Sequence, residues 1–557
     1  MVIAIGSEDK VPIDASFRIS AGPGAGKTHW LIEHIKDVIT HSNKLGVVKK
    51  VACITYTNVG TDTIRKRLNF DDGCVEVSTI HSFLFANVVN PYAYLVADEI
   101  GLDTENMVIV DEQNYMSQDY AYSLLKKKGK TWIDAEVYNK ALCECLWHYD
   151  KHQFTDFKPK RAKQVRRGGK SYFIPNSAYM YYKESLWSKG ELSYDDILYV
   201  SWLILSKYPQ IYKLLLSRYP YIFVDEFQDT IPYVVDFLQR MGNEGAIVGV
   251  VGDKAQAIYE FAGATVTQFD DFSVPRLQDY AIHGNRRSTV QIVNLLNAVR
   301  TEFKQDPLSG LEGDMPVLLV GDTLDCYQMS LEICGTDDVR SLAYQNIVAN
   351  SMRTRNGDMP LTNILDADFD SDAERQKKIK VLIKAVELSR MGDLRNAWHQ
   401  LDILDKDRTV SIVYLRKMLM GYEQFVEGSL MDFYSFVNGS LGLGLKPLRK
   451  GKSKTYYQDH SYREAALSVK GADADTYHKT IHKSKGDEFD NVFVVLKEEK
   501  DLDFMITPKL NEDVSHRVYY VGISRTINRL FIGTPSLSAK REAKIKEINL
   551  PIRVVRL

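Results

Sequence analysis

Cysteine is scarce in this chain: six among 557 residues, with only Cys143 and Cys145 close together. That spacing offers neither a disulfide framework nor the paired C-x-x-C pattern of a zinc site, so no metal–sulfur centre is expected. Long apolar runs are missing as well. No stretch approaches the roughly 20 apolar residues that span a bilayer, and the opening "MVIAIGSEDKVPID" lacks the basic-then-apolar layout of a secretory signal. No membrane partner and a cytoplasmic location are the expectations. Nor does either sign of charge dominate, since the net charge is −2. This excludes a surface coated in basic residues. It does not exclude a polyanionic partner, which needs only a local basic track. Two such tracks exist, "KPKRAKQVRRGGK" at 158–170 with seven Lys or Arg and "KPLRKGKSK" at 446–454 with five. For each the alternative is a solvated flexible loop.

What is present begins with "SFRISAGPGAGKTHWLIEHI", residues 16–35. A short apolar alternation runs into a glycine-rich turn and then into apolar residues at helical spacing, the pattern of strand, phosphate loop and helix. Gly22, Gly24, Ala25 and Gly26 let successive backbone N–H groups face phosphates, and the helix adds its positive end. Lys27 is placed to reach the outer phosphates, and the Thr28 hydroxyl to ligate Mg²⁺. The pattern departs from G-x-x-x-x-G-K-[ST] at its first position, which is Ala21. Its complement is "YIFVDEFQDT", residues 221–230, an apolar strand that ends in Asp225 and Glu226. At the carboxyl end of a parallel strand, Asp225 suits Mg²⁺ and Glu226 suits activation of an attacking water. "AIVGVVGD" is a further buried strand, with Gln256 three residues past Asp253 and able to sense a terminal phosphate. Arg287 and Arg525 lie far along the chain and could supply cations to a transferring phosphoryl group; a surface ion pair is the alternative for each.

These segments, with "ITYTNVGTDTIRKRL" (54–68), "VSTIHSFL" (77–84), "SYDDILYVSWLI" (193–204), "VGDKAQAIYEFAGA" (251–264), "NRRS" (285–288), "TIHKSKGDEFDNVFVV" (480–495) and "VYYVGISRTINRLFI" (518–532), resemble in order the motifs of the UvrD/Rep family of superfamily 1 DNA helicases. The resemblance implies ATP with Mg²⁺ as cofactors, other nucleoside triphosphates being accepted. It implies single-stranded and forked DNA as partners, and motion in the 3′ to 5′ direction. By the same resemblance Thr57, Asn58, His81, Tyr259, Phe261 and His482 are DNA contacts, and Glu488 a ribose contact. A solvated helix face is the alternative for His482 and Glu488. Where the family follows the stacking aromatic with arginine, this chain has Ala262. No glutamine occurs before Gln113, so the adenine-reading glutamine usual shortly before the phosphate loop is missing, and weak discrimination among bases is expected.

The implied fold class is α/β, with two RecA-like parallel-sheet P-loop domains, each carrying a mainly helical inserted subdomain. Residues 1–85 and 190–275 are assigned to the first domain and 86–189 to its insertion. Residues 276–345 and 466–557 form the second, with 346–465 inserted. Helical patterns are read in "AEVYNKALCECLWHYD" (135–150) and around Ile379, Leu382, Ile383, Val386 and Leu388. Two functions stay open: a helicase motor, or an NTPase subunit that regulates a nuclease partner in a bacterial phage-defence complex, as in the helicase-like subunit of Gabija.

Overall fold

Short, mostly apolar segments build the first sheet of the computed structural model, which describes residues 2–68, 73–110, 118–167, 170–260, 267–354, 364–365, 369–401, 404, 408–469 and 477–557. The chain forms two units, Met1–Arg286 and Arg287–Leu557. In the first, the strands are β1 (Ile3–Ile5), β2 (Phe17–Ala21), β3 (Val51–Thr55), β4 (Val75–Thr79), β5 (Tyr221–Val224), β6 (Ile247–Gly252) and β7 (Gln278–Ile282). They lie in the order β1-β7-β2-β6-β5-β3-β4, every pair parallel.

A parallel sheet is buried on both faces, so its strands read as continuous apolar runs. β5 shows how one run serves two cores. Tyr221 and Phe223 pack with Phe17, Trp30, Ile35 and Val251 on one face, while Ile222 and Val224 pack with Phe237, Leu238 and Val248 on the other. Gly249 of β6 falls on the Phe17 face, where a Cβ would stand 2.1 Å from the ring. Only glycine fits there. The helices that matter below are α1 (Lys27–His41), α2 (Asn58–Leu68), α3 (Tyr194–Lys207) and α4 (Pro232–Asn243).

Between β4 and β5 the segment near Phe83–Leu102 joins the main core, whereas residues between Ala121 and Leu186 gather a core of their own. The helix expected over 135–150 stops at Leu142. Cys145–Asp150 instead forms a strand antiparallel to Gln153–Pro159. The turn between them takes Lys151 and His152 to positive φ, and Trp147 stacks on Tyr199 at 3.9 Å. Aromatic pairing against α3 outweighs the local helical spacing. A second hairpin pairs Gln164–Arg167 with Lys170–Phe173, so much of the basic run at 158–170 lies on strands.

The second unit repeats the plan with β8 (Val317–Val320), β9 (Val339–Ala343), β10 (His478–Thr480), β11 (Phe489–Val495), β12 (Thr526–Thr534) and β13 (Arg553–Arg556). Their order is β10-β9-β11-β12-β8-β13, again all parallel. Between β9 and β10 lie helices including Ala373–Arg390, on which Ile379, Leu382, Ile383, Val386 and Leu388 are all buried in a separate helical core.

On the buried face of α1, His34 sits in a box of aromatic rings, stacked on Trp30 at 5.0 Å and edge-on to Phe17 and Phe223. Burial lowers its pKa from 6.5 to about 4. Because the folded value lies below the unfolded one, the stabilisation is complete above pH 6.5 and is lost as pH falls toward 4, the unfolded chain taking the proton first. The full difference is on the order of 3 kcal/mol. Thermal melts at pH 7.5 and 5.0 should therefore show a smaller drop in Tm for His34→Phe than for the parent. Equal drops would remove His34 as the source.

Candidate functional site

The carboxyl ends of β2, β6 and β5 lie side by side, and each delivers part of one site. β2 ends at Ala21, buried and without the positive φ that would call for glycine, so alanine at the first position of the loop pattern carries no backbone cost. Gly24 and Gly26 do need their identity, at φ 68° and 81°. Gly26 caps α1, whose first residues are Lys27 and Thr28. The loop is held from behind as well: Asn285 Nδ2 donates to the Pro23 carbonyl at 3.0 Å, and the Arg286 N–H to that of Gly24 at 3.0 Å.

Lys27 Nζ donates to the Ala21 carbonyl at 3.4 Å, which draws the ammonium back over the loop. Thr28 Oγ1 donates to Asp225 Oδ2 at 2.9 Å. Asp225 is only 4% exposed. Burial and then the adjacent Glu226 push its carboxyl up to about 6, with the Thr28 hydroxyl and Lys27 pulling the other way. Glu226 itself adopts a left-handed backbone, φ 54°, and its N–H donates to Asp225 Oδ1 at 3.0 Å. Such a conformation costs a non-glycine residue on the order of 1–2 kcal/mol. Here it accompanies the bond by which the Glu226 N–H reaches back to the Asp225 carboxylate.

Gln228 lies within the quoted acidic segment, yet the sequence reading gave it no role. Its Nε2 donates to Glu226 Oε2, and its Oε1 accepts from the Asp253 N–H at 2.8 Å. Asp253 Oδ2 in turn accepts from Gln256 Nε2 at 2.7 Å. Two strand ends, those of β5 and β6, are thereby joined by side chains. Its position two residues past the glutamate was the available signal.

At the end of β3, Thr57 Oγ1 accepts the Gly60 N–H at 3.0 Å and so starts α2. A Cβ at Gly60 would meet Thr55 Oγ1 at 2.6 Å. Tyr56 and Tyr259 stack at 5.3 Å. Burial, with Asp229 next, raises Tyr56 to about 12. His81 packs edge-on against Tyr194, and burial lowers it to about 4, so near neutral pH it offers an uncharged imidazole. The Asn58 side chain and the whole of Phe261 and Ala262 fall outside the described residues.

In the second unit Arg287 pairs with Glu488, and its Nη1 donates to the Ser524 carbonyl at 3.1 Å. Glu488 precedes β11 and lies on no helix. Arg525 is buried at 3% exposure, its Nε donating to the Val521 carbonyl at 3.2 Å. His482 stacks on Tyr344 at 5.8 Å.

A parallel sheet that carries a glycine loop, Lys and Thr on one strand end and a buried Asp-Glu pair on a nearby one defines a P-loop nucleotide-binding protein. The chain matches the UvrD/REP helicase N-terminal domain over residues 9–275 and the UvrD-like helicase C-terminal domain over 478–536. It belongs to the UvrD/REP helicase family. Among curated relatives, it is 25% identical over 331 residues to Gabija protein GajB of Bacillus cereus, covering 51% of this chain and 46% of that one. It is 27% identical over 368 residues to the ATP-dependent DNA helicase UvrD1 of Mycobacterium tuberculosis, covering 62% and 46%. With the ATP-dependent DNA helicase PcrA of Bacillus subtilis the identity is 24% over 294 residues, covering 51% and 37%. The chain thus spans less than half the length of these relatives.

Gln228→Ala removes the bridge between Glu226 and Asp253 without touching phosphate-binding groups. A lost hydrogen bond to a charged group corresponds to about 1.5–3 kcal/mol, or roughly 10- to 100-fold in rate. Nucleotide turnover should fall by that range while nucleotide affinity stays within about threefold, as read by steady-state kinetics beside a fluorescent-nucleotide titration. Parallel losses in both would make Gln228 a general support of the loop.

Proposed function

We propose that this protein hydrolyses ATP to move along single-stranded DNA in the 3′ to 5′ direction and to separate duplex ahead of it. The observation that carries the reading is the 2.9 Å bond from Thr28 Oγ1 to Asp225, which joins the phosphate loop to the acidic strand end. Hydroxyl and carboxylate oxygens are hard donors of the kind Mg²⁺ takes, so Thr28 and Asp225 are the residues that would hold it. When bound, the metal supplies Lewis-acid charge stabilisation on phosphate oxygens. Lys27 holds the outer phosphates, and Glu226, steadied by Gln228, accepts a proton from the attacking water. Gln256, Arg287 and Arg525 take the phosphate-sensing and charge-stabilising roles of the family, and Glu488 the ribose contact. Thr57, Asn58, His81, Tyr259, Phe261 and His482 take the family's role of DNA contacts. Stacking on an aromatic ring, worth about 1–3 kcal/mol per base, is indifferent to sequence and suits a motor that must pass over every base.

A second reading, an NTPase subunit that regulates a nuclease partner in phage defence, draws on the likeness to Gabija protein GajB. Displacement of a labelled strand from duplexes with 3′ or 5′ tails separates the two. Unwinding of the 3′-tailed duplex by this chain alone supports the motor; unwinding only of the 5′-tailed one refutes the direction, and DNA-stimulated hydrolysis without displacement favours the regulator.

Lys27→Ala should abolish hydrolysis and weaken nucleotide binding. Glu226→Gln should stop turnover with binding nearly intact, since Lys27, Thr28 and Asp225 still hold the nucleotide. Equal loss of binding in both variants would make Glu226 structural. Base selectivity follows from the missing glutamine. Without a bidentate base contact, GTP and dATP should be hydrolysed within about tenfold of ATP, a factor equivalent to ~1.4 kcal/mol. Steady-state rates at matched Mg²⁺ test this, and a preference for ATP beyond about a hundredfold, ~2.7 kcal/mol, would mean that another group reads the base.

A further inference from the structure

The amino ends of β9, β11 and β12 in the second unit, the side that also carries Glu488 just before β11 and Arg525 just before β12, surround a groove of about 990 Å³. Its walls carry Glu312, Asp314, Asp337, Asp338, Glu488 and Asp490 against two guanidiniums, those of Arg340 and Arg529. Arg529 is already engaged, by Asp314 and Asp337 at 3.1 Å each. The Arg340 guanidinium lies over the Tyr477 ring at 4.1 Å. Glu488 is paired with Arg287, and with that cation counted the groove presents a net charge of −3 in a protein whose overall charge is −2.

A second feature points to a ligand that donates hydrogen bonds. Asn491 lines the groove and is 2% exposed. Its Nδ2 donates to the Asp338 carbonyl at 3.1 Å, while its Oδ1 is buried with no hydrogen-bond partner. An unsatisfied buried acceptor costs about 1–3 kcal/mol, and a donor reaching it from the groove would remove that cost.

We infer that this groove docks an arginine- or lysine-bearing segment of a partner protein. A polyanion such as DNA is repelled by it. A point cation is disfavoured because no three carboxylates converge as a metal site requires, among the described residues. An extended chain with several cationic side chains satisfies both the spread of charge and the Asn491 acceptor. Low-dielectric walls lined by one sign of charge concentrate such a partner and speed its arrival.

The inference does not depend on hydrolysis, so the test is a binding measurement on the full chain, with Glu488 left intact because of its proposed ribose contact. A fluorescein-labelled nona-arginine peptide is titrated by anisotropy against the parent, the triple variant Glu312→Gln/Asp338→Asn/Asp490→Asn, and a control, Glu374→Gln/Glu423→Gln/Glu512→Gln. The control removes the same charge from exposed sites elsewhere on the unit. The groove triple should weaken binding at least about tenfold, the control less than about twofold. Asn491→Leu, which removes the acceptor and leaves every carboxylate, should weaken it by about three- to tenfold with an unchanged salt dependence. Equal losses in the two triples, no measurable binding by the parent, or Mn²⁺ alone displacing the peptide at equimolar concentration would each overturn the proposal.

Discussion

A carboxylate buried against a second carboxylate is the constraint around which the first unit is arranged. Asp225 sits where water is nearly absent, and burial together with Glu226 raises its pKa to about 6. A charge there must be balanced by cations and donors brought from elsewhere in the chain. β2 supplies them: the loop after it carries Lys27 and Thr28, and the sheet order places β6 alone between β2 and β5. A divalent cation held by Thr28 and Asp225, as proposed above, would reverse the local pKa logic. The strained backbone of Glu226 follows from the same demand. Two adjacent side chains on an ordinary strand point to opposite faces, and a left-handed step is one way to bring both to the strand end.

From that pair a contiguous set of hydrogen bonds leads outward. Glu226, Gln228, Asp253 and Gln256 are joined in sequence. Past Gln256 the chain reaches Tyr259, which stacks on Tyr56 just beyond β3. Gly252 allows the path to exist, because a Cβ there would stand 2.5 Å from Gln228 Oε1. The group proposed to sense phosphate, Gln256, and the Tyr259 ring proposed to carry DNA therefore both follow the end of β6. A change in charge at Glu226 acts on the first of these bonds directly, with no rearrangement of the sheet needed to transmit it.

What could be read in the sequence was what is local. The phosphate loop, the apolar strand before Asp225 and the helix over Ala373–Arg390 each depend on spacing within a few residues, and each lies where spacing put it. What could not be read depends on partners far along the chain. Cys145–Asp150 follows a helix in an unbroken amphipathic pattern and becomes a strand because Trp147 finds Tyr199 and Trp187. Arg287 and Glu488 were assigned separate roles; that they pair with each other across 201 positions has no local signature. Gln228 was in plain view but meaningless until Asp253 stood beside it. The acidic groove is the extreme case, assembled from single carboxylates that are each unremarkable in sequence.

Asp196 shows the same lesson in an acidic residue of the motif "SYDDILYVSWLI". Its carboxylate is fully buried and pairs with Lys183, also fully buried, at 2.8 Å. It also accepts from Trp147 Nε1 at 3.0 Å and from the Ser193 N–H at 3.1 Å, while Lys183 donates to Ser193 Oγ and lies 4.4 Å from the Phe157 ring. A buried ion pair is weak ground for stability, since apolar residues of the same volume often do as well. Its better-attested use is to fix register, and here the geometry fits that use. Lys183 comes from the helix Asn176–Trp187, Trp147 from the first hairpin of the insertion, and Asp196 from the first turn of α3. Shifting either helix by a residue would strand a charge in the core, and shifting the hairpin would take the Trp147 N–H away from Asp196. Asp196 therefore keys the inserted segment to α3, whose packing against β5 and α4 belongs to the same core that holds the strand ending at Asp225.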